Sequence, residues 1–165
     1  MRAVVFLCLC AGVAANAVGD EQLVAVQSGG TQWWDCGDNF TTPMDLHWTD
    51  VQSTPAVVHK GDQQKVMKTG YATAAHSNIT IEYQQFWRIA GKWLKFLDMK
   101  VDGCSEHAED HFCPTAPGKN FTLHSIHPKL NKMTPFGMYR SRQHYFGADG
   151  VTVIGCVDML VPYEK

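Results

Sequence analysis

The residues best equipped for chemistry crowd into one short segment, Cys104-Ser-Glu-His107-Ala-Glu-Asp-His111-Phe-Cys113. Thiolates together with imidazoles suit zinc. The His107-x-x-x-His111 spacing aligns both rings only on a helix, and Ala108 stands where a zinc protease carries its catalytic glutamate. In an oxidising compartment the two thiols pair with each other instead, which removes both soft ligands. The segment therefore reads as either a structural zinc site or a disulfide-closed polar loop, and the compartment argued below favours the loop. Its histidines could still titrate near endosomal pH.

Other chemistry is hard to find. No Gly-x-Ser-x-Gly elbow and no phosphate-cradling glycine loop occurs. Scattered Ser, His and Asp residues alone do not make a triad. The expectation is a protein with no catalytic residue, no metal and no cofactor. Aromatics are the more informative feature: Trp33, Trp34, Trp48, Trp87 and Trp93, joined by Tyr83, Phe86, Phe96, Phe121 and Tyr139. Such residues either fill the space between two sheets or line an apolar cavity where the sheets part. Phe86-Trp87-Arg88 and Lys92-Trp93-Leu94-Lys95-Phe96 set cations beside bulky aromatics, a mixture suited to a lipid headgroup layer.

The elements that must position these residues are strands. Met44, Leu46 and Trp48 alternate with polar residues, as do Ile79, Ile81 and Tyr83, which is the period of a half-buried strand. Val151, Val153, Val157, Met159 and Val161 share one phase, interrupted by Gly155. Ile89-Ala90-Gly91-Lys92 and Gly147-Ala148-Asp149-Gly150 read as hairpin connections. About seven strands and no convincing amphipathic helix predict an all-β sandwich.

The first residues address compartment. Met1-Arg2 is followed by an apolar run from Ala3 to Ala15, too short for an ordinary transmembrane helix, and Ala15-Asn16-Ala17 supplies small residues for cleavage. The expected organisation is a signal peptide over 1–17, a loose lead-in over 18–32 and one domain over 33–163. Cys8 and Cys10 leave with the leader, so the mature chain keeps Cys36, Cys104, Cys113 and Cys156. Four cysteines allow three pairings, of which one local and one end-to-end bridge is the simplest. Asn39, Asn78 and Asn120 each begin a glycosylation sequon, predicting that those sites face water. Without Arg2, the 14 Lys and Arg fall by one against 16 Asp and Glu, an acidic balance that argues against nucleic acid as a partner.

One family orders its residues in this way. Trp34-Asp35-Cys36-Gly37 is followed by Asp102-Gly103-Cys104…Cys113-Pro114, then Gly118-Lys119-Asn120-Phe121-Thr122-Leu123, and finally Gly137-Met138-Tyr139-Arg140…Gly155-Cys156-Val157-Asp158. Together they resemble the ML lipid-recognition family over about residues 33–163. The resemblance implies an immunoglobulin-like sandwich with a lipid-sized cavity between its sheets, and it implies the bridges Cys36–Cys156 and Cys104–Cys113. The extra cysteine pair that several members carry after the first strand is absent, so the resemblance leaves the lipid class open. It further implies a non-enzymatic binder or carrier of a sterol, phospholipid or glycolipid, working in the extracellular space or the endosomal or lysosomal lumen. Transient contact with a membrane surface belongs to that role, and a protein receptor is the partner of the receptor-accessory variant. A closed adhesion-type sandwich without ligand is the rival.

Under this reading the cavity candidates are Trp48, Ile81, Tyr83, Trp93, Leu97, Met99, Phe121, Leu123, Tyr139 and Val153. Arg88, Lys92 and Lys95 are candidates for the cavity mouth.

Overall fold

The structure is a computed structural model that describes residues 30–37, 40, 43–127, 129 and 134–165. The expected leader, most of the lead-in and the Asn39 sequon lie outside the described residues. The chain forms two facing sheets. The larger has the order β1 (Gln32–Asp35), β9 (Val153–Glu164), β8 (Gly137–Phe146), β5 (Thr80–Ile89) and β6 (Lys92–Asp102), with short β3 (Val58–His59) added in parallel to β9. The smaller has the order β2 (Leu46–Thr54), β4 (Lys65–Ala72), β7 (Asn120–Ile126). Apart from β3 on β9, every pairing is antiparallel. One helical turn, α1 (Gly103–Glu106), follows β6, capped by Asp102, which accepts from the backbone N–H of Cys104 and Ser105.

An all-β sandwich is therefore present, with more strands than the periodicity resolved because β1 and β3 are too short to alternate visibly. Val151 departs from the expected strand: it is exposed in the β8–β9 turn, and β9 begins at Val153.

The sheets meet closely at one end. A Cβ on Gly155 would lie 2.8 Å from Leu46 Cβ, so only glycine lets β9 approach β2 there. Trp48, Phe121, Phe112 and Tyr145 fill this end with edge-on and tilted ring contacts, the Trp48–Tyr145 centroids 4.9 Å apart. Leu46, Ile81 and Leu123 are fully enclosed around them. The bridge Cys36–Cys156, 120 residues apart in sequence, ties β1 to β9. Cys104–Cys113 closes the loop after α1, so the two thiols are spent on each other rather than on zinc. Asp110 anchors that loop to β7 by accepting from the His124 backbone N–H at 2.8 Å, and it also pairs with the Nδ1 atoms of His107 and His124.

On its outer face the large sheet carries an ionic cluster. Asp158 is wholly buried on β9, beside Trp34 of the neighbouring β1, and accepts from both Arg140 (2.7 Å) and Arg142 (2.8 Å). A buried carboxylate clasped by two guanidiniums is stable only as a set. Replacing Asp158 with alanine leaves two largely buried guanidiniums without their carboxylate, so Asp158→Ala is expected to lower unfolding free energy by about 3–5 kcal/mol. Urea unfolding checks this, and a loss below about 1 kcal/mol would mean the cluster behaves as an exposed pair.

Candidate functional site

At the opposite end from Gly155 the sheets diverge around a cavity of about 710 Å³. That lies within the usual range for sites that bury a small amphiphile, roughly 300–1,000 Å³. Its walls come from the β5–β6 hairpin, the β8 start, the β9 end and the β7 end. Tyr83, Trp87, Phe96, Tyr139 and Tyr163 form the aromatic part, with Leu97, Met99, Val101, Met159 and Val161 between them. Trp87 and Tyr139 lie parallel, and Phe96 and Tyr163 meet Tyr139 edge-on, so one ring organises three neighbours. Tyr139 is itself held by donating its hydroxyl to the Pro135 carbonyl at 2.7 Å.

Four of the ten cavity candidates, Tyr83, Leu97, Met99 and Tyr139, sit on this wall. Trp48, Ile81, Phe121 and Leu123 point inward as their phase predicts but belong to the packed end. Val153 lies half-buried near that same end, outside the cavity. Trp93 is displaced for a structural reason. A bulge pairs Gln85 with Leu97 but Phe86 with Lys95, so Phe96 is an extra residue on β6. One extra residue flips the facing of everything beyond it. Phe96 and Leu97 both reach the cavity, while Trp93 turns outward and stacks under the Arg88 guanidinium, 5.8 Å from the ring centre.

The basic mouth is also corrected. Arg88 is engaged with Trp93, Lys95 pairs with Asp98, and Lys92 is exposed at the hairpin turn; none of the three lines the cavity. The charged residues that do line it are Asp62, Glu106 and Arg140, and Arg140 turns its guanidinium away to Asp158. Three apolar residues of the lining are also exposed, Phe96 and Ile126 (54% and 64%) and Met99, and exposed Phe136 packs on Tyr163 of the wall. Asn78 and Asn120 are exposed.

Trp87, Met159, Val161 and Tyr163 were not among the cavity candidates although their phase was available: Trp87 continues Ile81 and Tyr83, and the other three continue Val157. Phe96 carried no such signal, because only the bulge brings it inward.

Between the packed end and the cavity lies a polar layer. Lys68, on β4, is wholly buried and donates to Gln143 Oε1 at 2.6 Å and to the Tyr145 hydroxyl at 2.9 Å, spanning from the small sheet to the large one. The Tyr145 hydroxyl donates in turn to Gln143 Oε1 at 3.0 Å. Burial brings the Lys68 ammonium down to about 7, opposed by Glu106 and Asp110. Burial likewise pushes the Tyr83 phenol up to about 12.

No family model matches this sequence, and no curated protein matches it. Solved structures do. The Niemann-Pick type C2 protein from Japanese carpenter ant superposes with a TM-score of 0.60 at 14% identity, covering 81% of this chain and 99% of that one. Chicken MD-1 complexed with lipid IVa gives 0.50 at 12% identity, covering 82% of this chain and 92% of that one. The fold is the ML-type sandwich. Its likeness extends to the C-terminal domain of wzt, at 0.51 and 9% identity over 82% of this chain and 78% of that one, so the architecture alone is shared more widely.

The polar layer of this ML-type sandwich makes a testable electrostatic statement. The folded chain releases the Lys68 proton near pH 7, while the unfolded chain holds it until about 10.5. Between those values the unfolded state binds more protons, so stability rises with pH. Tyr83 and Tyr145, whose phenols are raised by burial, reverse the trend above about pH 10. From about pH 7 to 9.5 the gain from Lys68 amounts to roughly 3 kcal/mol. Urea unfolding across that window is expected to show the rise, and Lys68→Met is expected to abolish it; an equal rise in Lys68→Met would assign it elsewhere.

Proposed function

We propose that this chain is a lipid-binding protein that holds one amphiphilic lipid in the cavity between its sheets and transfers it between membranes, without chemistry. The observation that carries this reading is an aromatic-walled cavity of about 710 Å³ whose lining includes the exposed apolar side chains Phe96, Met99 and Ile126. Each methylene moved from water into such a cavity contributes about 0.8 kcal/mol, so an acyl chain or sterol body provides ample driving force. The exposed Phe96, Met99, Ile126 and Phe136 supply a surface that can sit in a headgroup layer while the lipid crosses, a role the cations of the hairpin would assist from outside the cavity. MD-1 in complex with lipid IVa is a fold-level precedent for a lipid in this architecture. The two bridges, together with the leader and sequons expected from the sequence, support work in the extracellular space or an endosomal or lysosomal lumen.

Native mass spectrometry with lipid extraction, on protein purified with its glycans, tests the reading. One co-purifying lipid per chain is the expected result. Delipidated protein that takes up no sterol, phospholipid or glycolipid would defeat it and favour a closed adhesion-type sandwich. The rim is tested separately with the double variant Phe96→Asp/Ile126→Asp. Extraction of a fluorescent phospholipid from vesicles is expected to slow at least tenfold, on the order of 1.4 kcal/mol, while lipid presented from ethanol still binds. Unchanged extraction would remove the rim from the transfer step.

A further inference from the structure

The cavity's lining is mostly apolar, and the charge it does carry is of one sign. Asp62 and Glu106 line it, while Arg140, the third charged residue there, gives its guanidinium to Asp158 on the outer face. Two further bases stand close. His127 lines the cavity and burial lowers its pKa, and Lys68 behind the wall is brought down to about 7. Above neutral pH neither holds a full positive charge. Among the described residues the lining then meets its contents with two carboxylates and no unpaired cation.

The two carboxylates are not equivalent. Asp62 belongs to the turn after β3 and accepts from the His59 backbone N–H at 2.9 Å. Glu106 accepts from no residue. Its position is nevertheless fixed, because it ends α1 and α1 is seated tightly. Gly103 donates its N–H to the Ile79 carbonyl at 2.8 Å, a Cβ on it would lie 2.7 Å from Ile81 Cγ1, and Cys104 is bridged to Cys113. The turn directly follows β6, and β6 and β7 are edge strands that both contribute to the lining, Met99 and Val101 from one, Ser125 and Ile126 from the other. From there the charge of Glu106 acts on Tyr83 of the large sheet and on His127 after β7, and on Lys68 and His107 behind them. An ion that enters an apolar space loses hydration; a fixed like charge adds to that cost and an opposite one offsets it. Low-dielectric walls screen such a field less than open solvent does.

Resting on the lipid-binding reading, we infer that Glu106 makes the cavity selective by charge: it disfavours an anionic amphiphile, favours a cationic one of the same chain length, and leaves an uncharged one unaffected. The class of ligand this admits is a lipid with no negative charge on the part that enters the cavity.

Displacement of the apolar fluorophore N-phenyl-1-naphthylamine by decanoate, 1-decanol and decyltrimethylammonium tests this on the intact glycoprotein. At pH 8 Lys68 has largely lost its proton and does not mask the field. Glu106→Gln keeps the length of the side chain and removes its charge. Decanoate is expected to bind this variant about threefold more tightly and decyltrimethylammonium about threefold more weakly, with decanol unchanged. Glu109→Gln removes the same charge from an exposed position outside the lining, and is expected to alter none of the three. A Glu106→Gln variant that shifts neither ion, or shifts all three chains in one direction, would overturn the charge selection and leave the cavity reading standing. Equal shifts in Glu109→Gln would overturn it too, by assigning the effect to net charge. Failure of the fluorophore and all three chains to bind the wild type would strike the cavity reading itself.

Discussion

The two sheets touch closely at one end only, and the rest of the molecule follows from that asymmetry. Gly155 lets β9 press against Leu46 of β2, and Trp48, Phe112, Phe121 and Tyr145 fill the space that remains. Strands twist, so sheets pinned at one end separate toward the other unless side chains fill the gap. Here the far ends of β5, β6, β8 and β9 carry rings that pack on one another along their own sheet, Trp87, Tyr139, Phe96 and Tyr163, and leave the space between the sheets open. The disulfides fit the same division, with Cys36–Cys156 fastening β1 to β9 and Cys104–Cys113 closing the loop beside the packed end.

Lys68 marks the boundary between the two regimes. An ammonium wholly enclosed between two sheets is an expensive feature in a core, since desolvation disfavours its charge. Its bonds to Gln143 and Tyr145 span the sandwich at mid-strand, and they sit where dry packing gives way to open volume. A polar tie of this sort holds two surfaces at a defined separation, which an apolar contact of adaptable shape does less strictly. Alternation along β8 turns Ser141 and Gln143 toward the interior together with Tyr139 and Tyr145, so polar groups share the interior with its rings.

Much of the fold was legible in the alternation. Ile81, Tyr83, Leu97, Met99, Phe121, Leu123 and Tyr139 all face the interior as period two requires, and the hairpins fall at Gly91 and Gly150. Three physical facts were hidden. Phase tells which way a residue points but not which end of the sandwich opens, so Trp48 and Tyr83 looked alike although one is core and the other cavity wall. A single inserted residue at Phe96 exchanged the roles of Trp93 and Phe96, and no residue type announced it. Charge beside an aromatic was read as a headgroup contact, yet Arg88 lies on the outer face with Trp93, and the acidic residues Glu106 and Asp62 are among those that line the cavity. Inward Ser141 and Gln143 sat in plain sight between Tyr139 and Tyr145, masked by the two arginines and the histidine that alternate with them and bind Asp158 and Glu82 on the outer face.

The central claim is that lipid lies between the sheets, against Trp87. Collisional quenching of tryptophan by a stearoyl chain brominated at its midpoint measures that placement directly, because bromine quenches only at contact distance. Among the five tryptophans, Trp87 alone lines the cavity. Saturable quenching at one lipid per chain is expected, and most of it should vanish in Trp87→Phe. Quenching that persists undiminished in Trp87→Phe, or that depends instead on Trp93, would place the lipid on the outer surface and contradict the account.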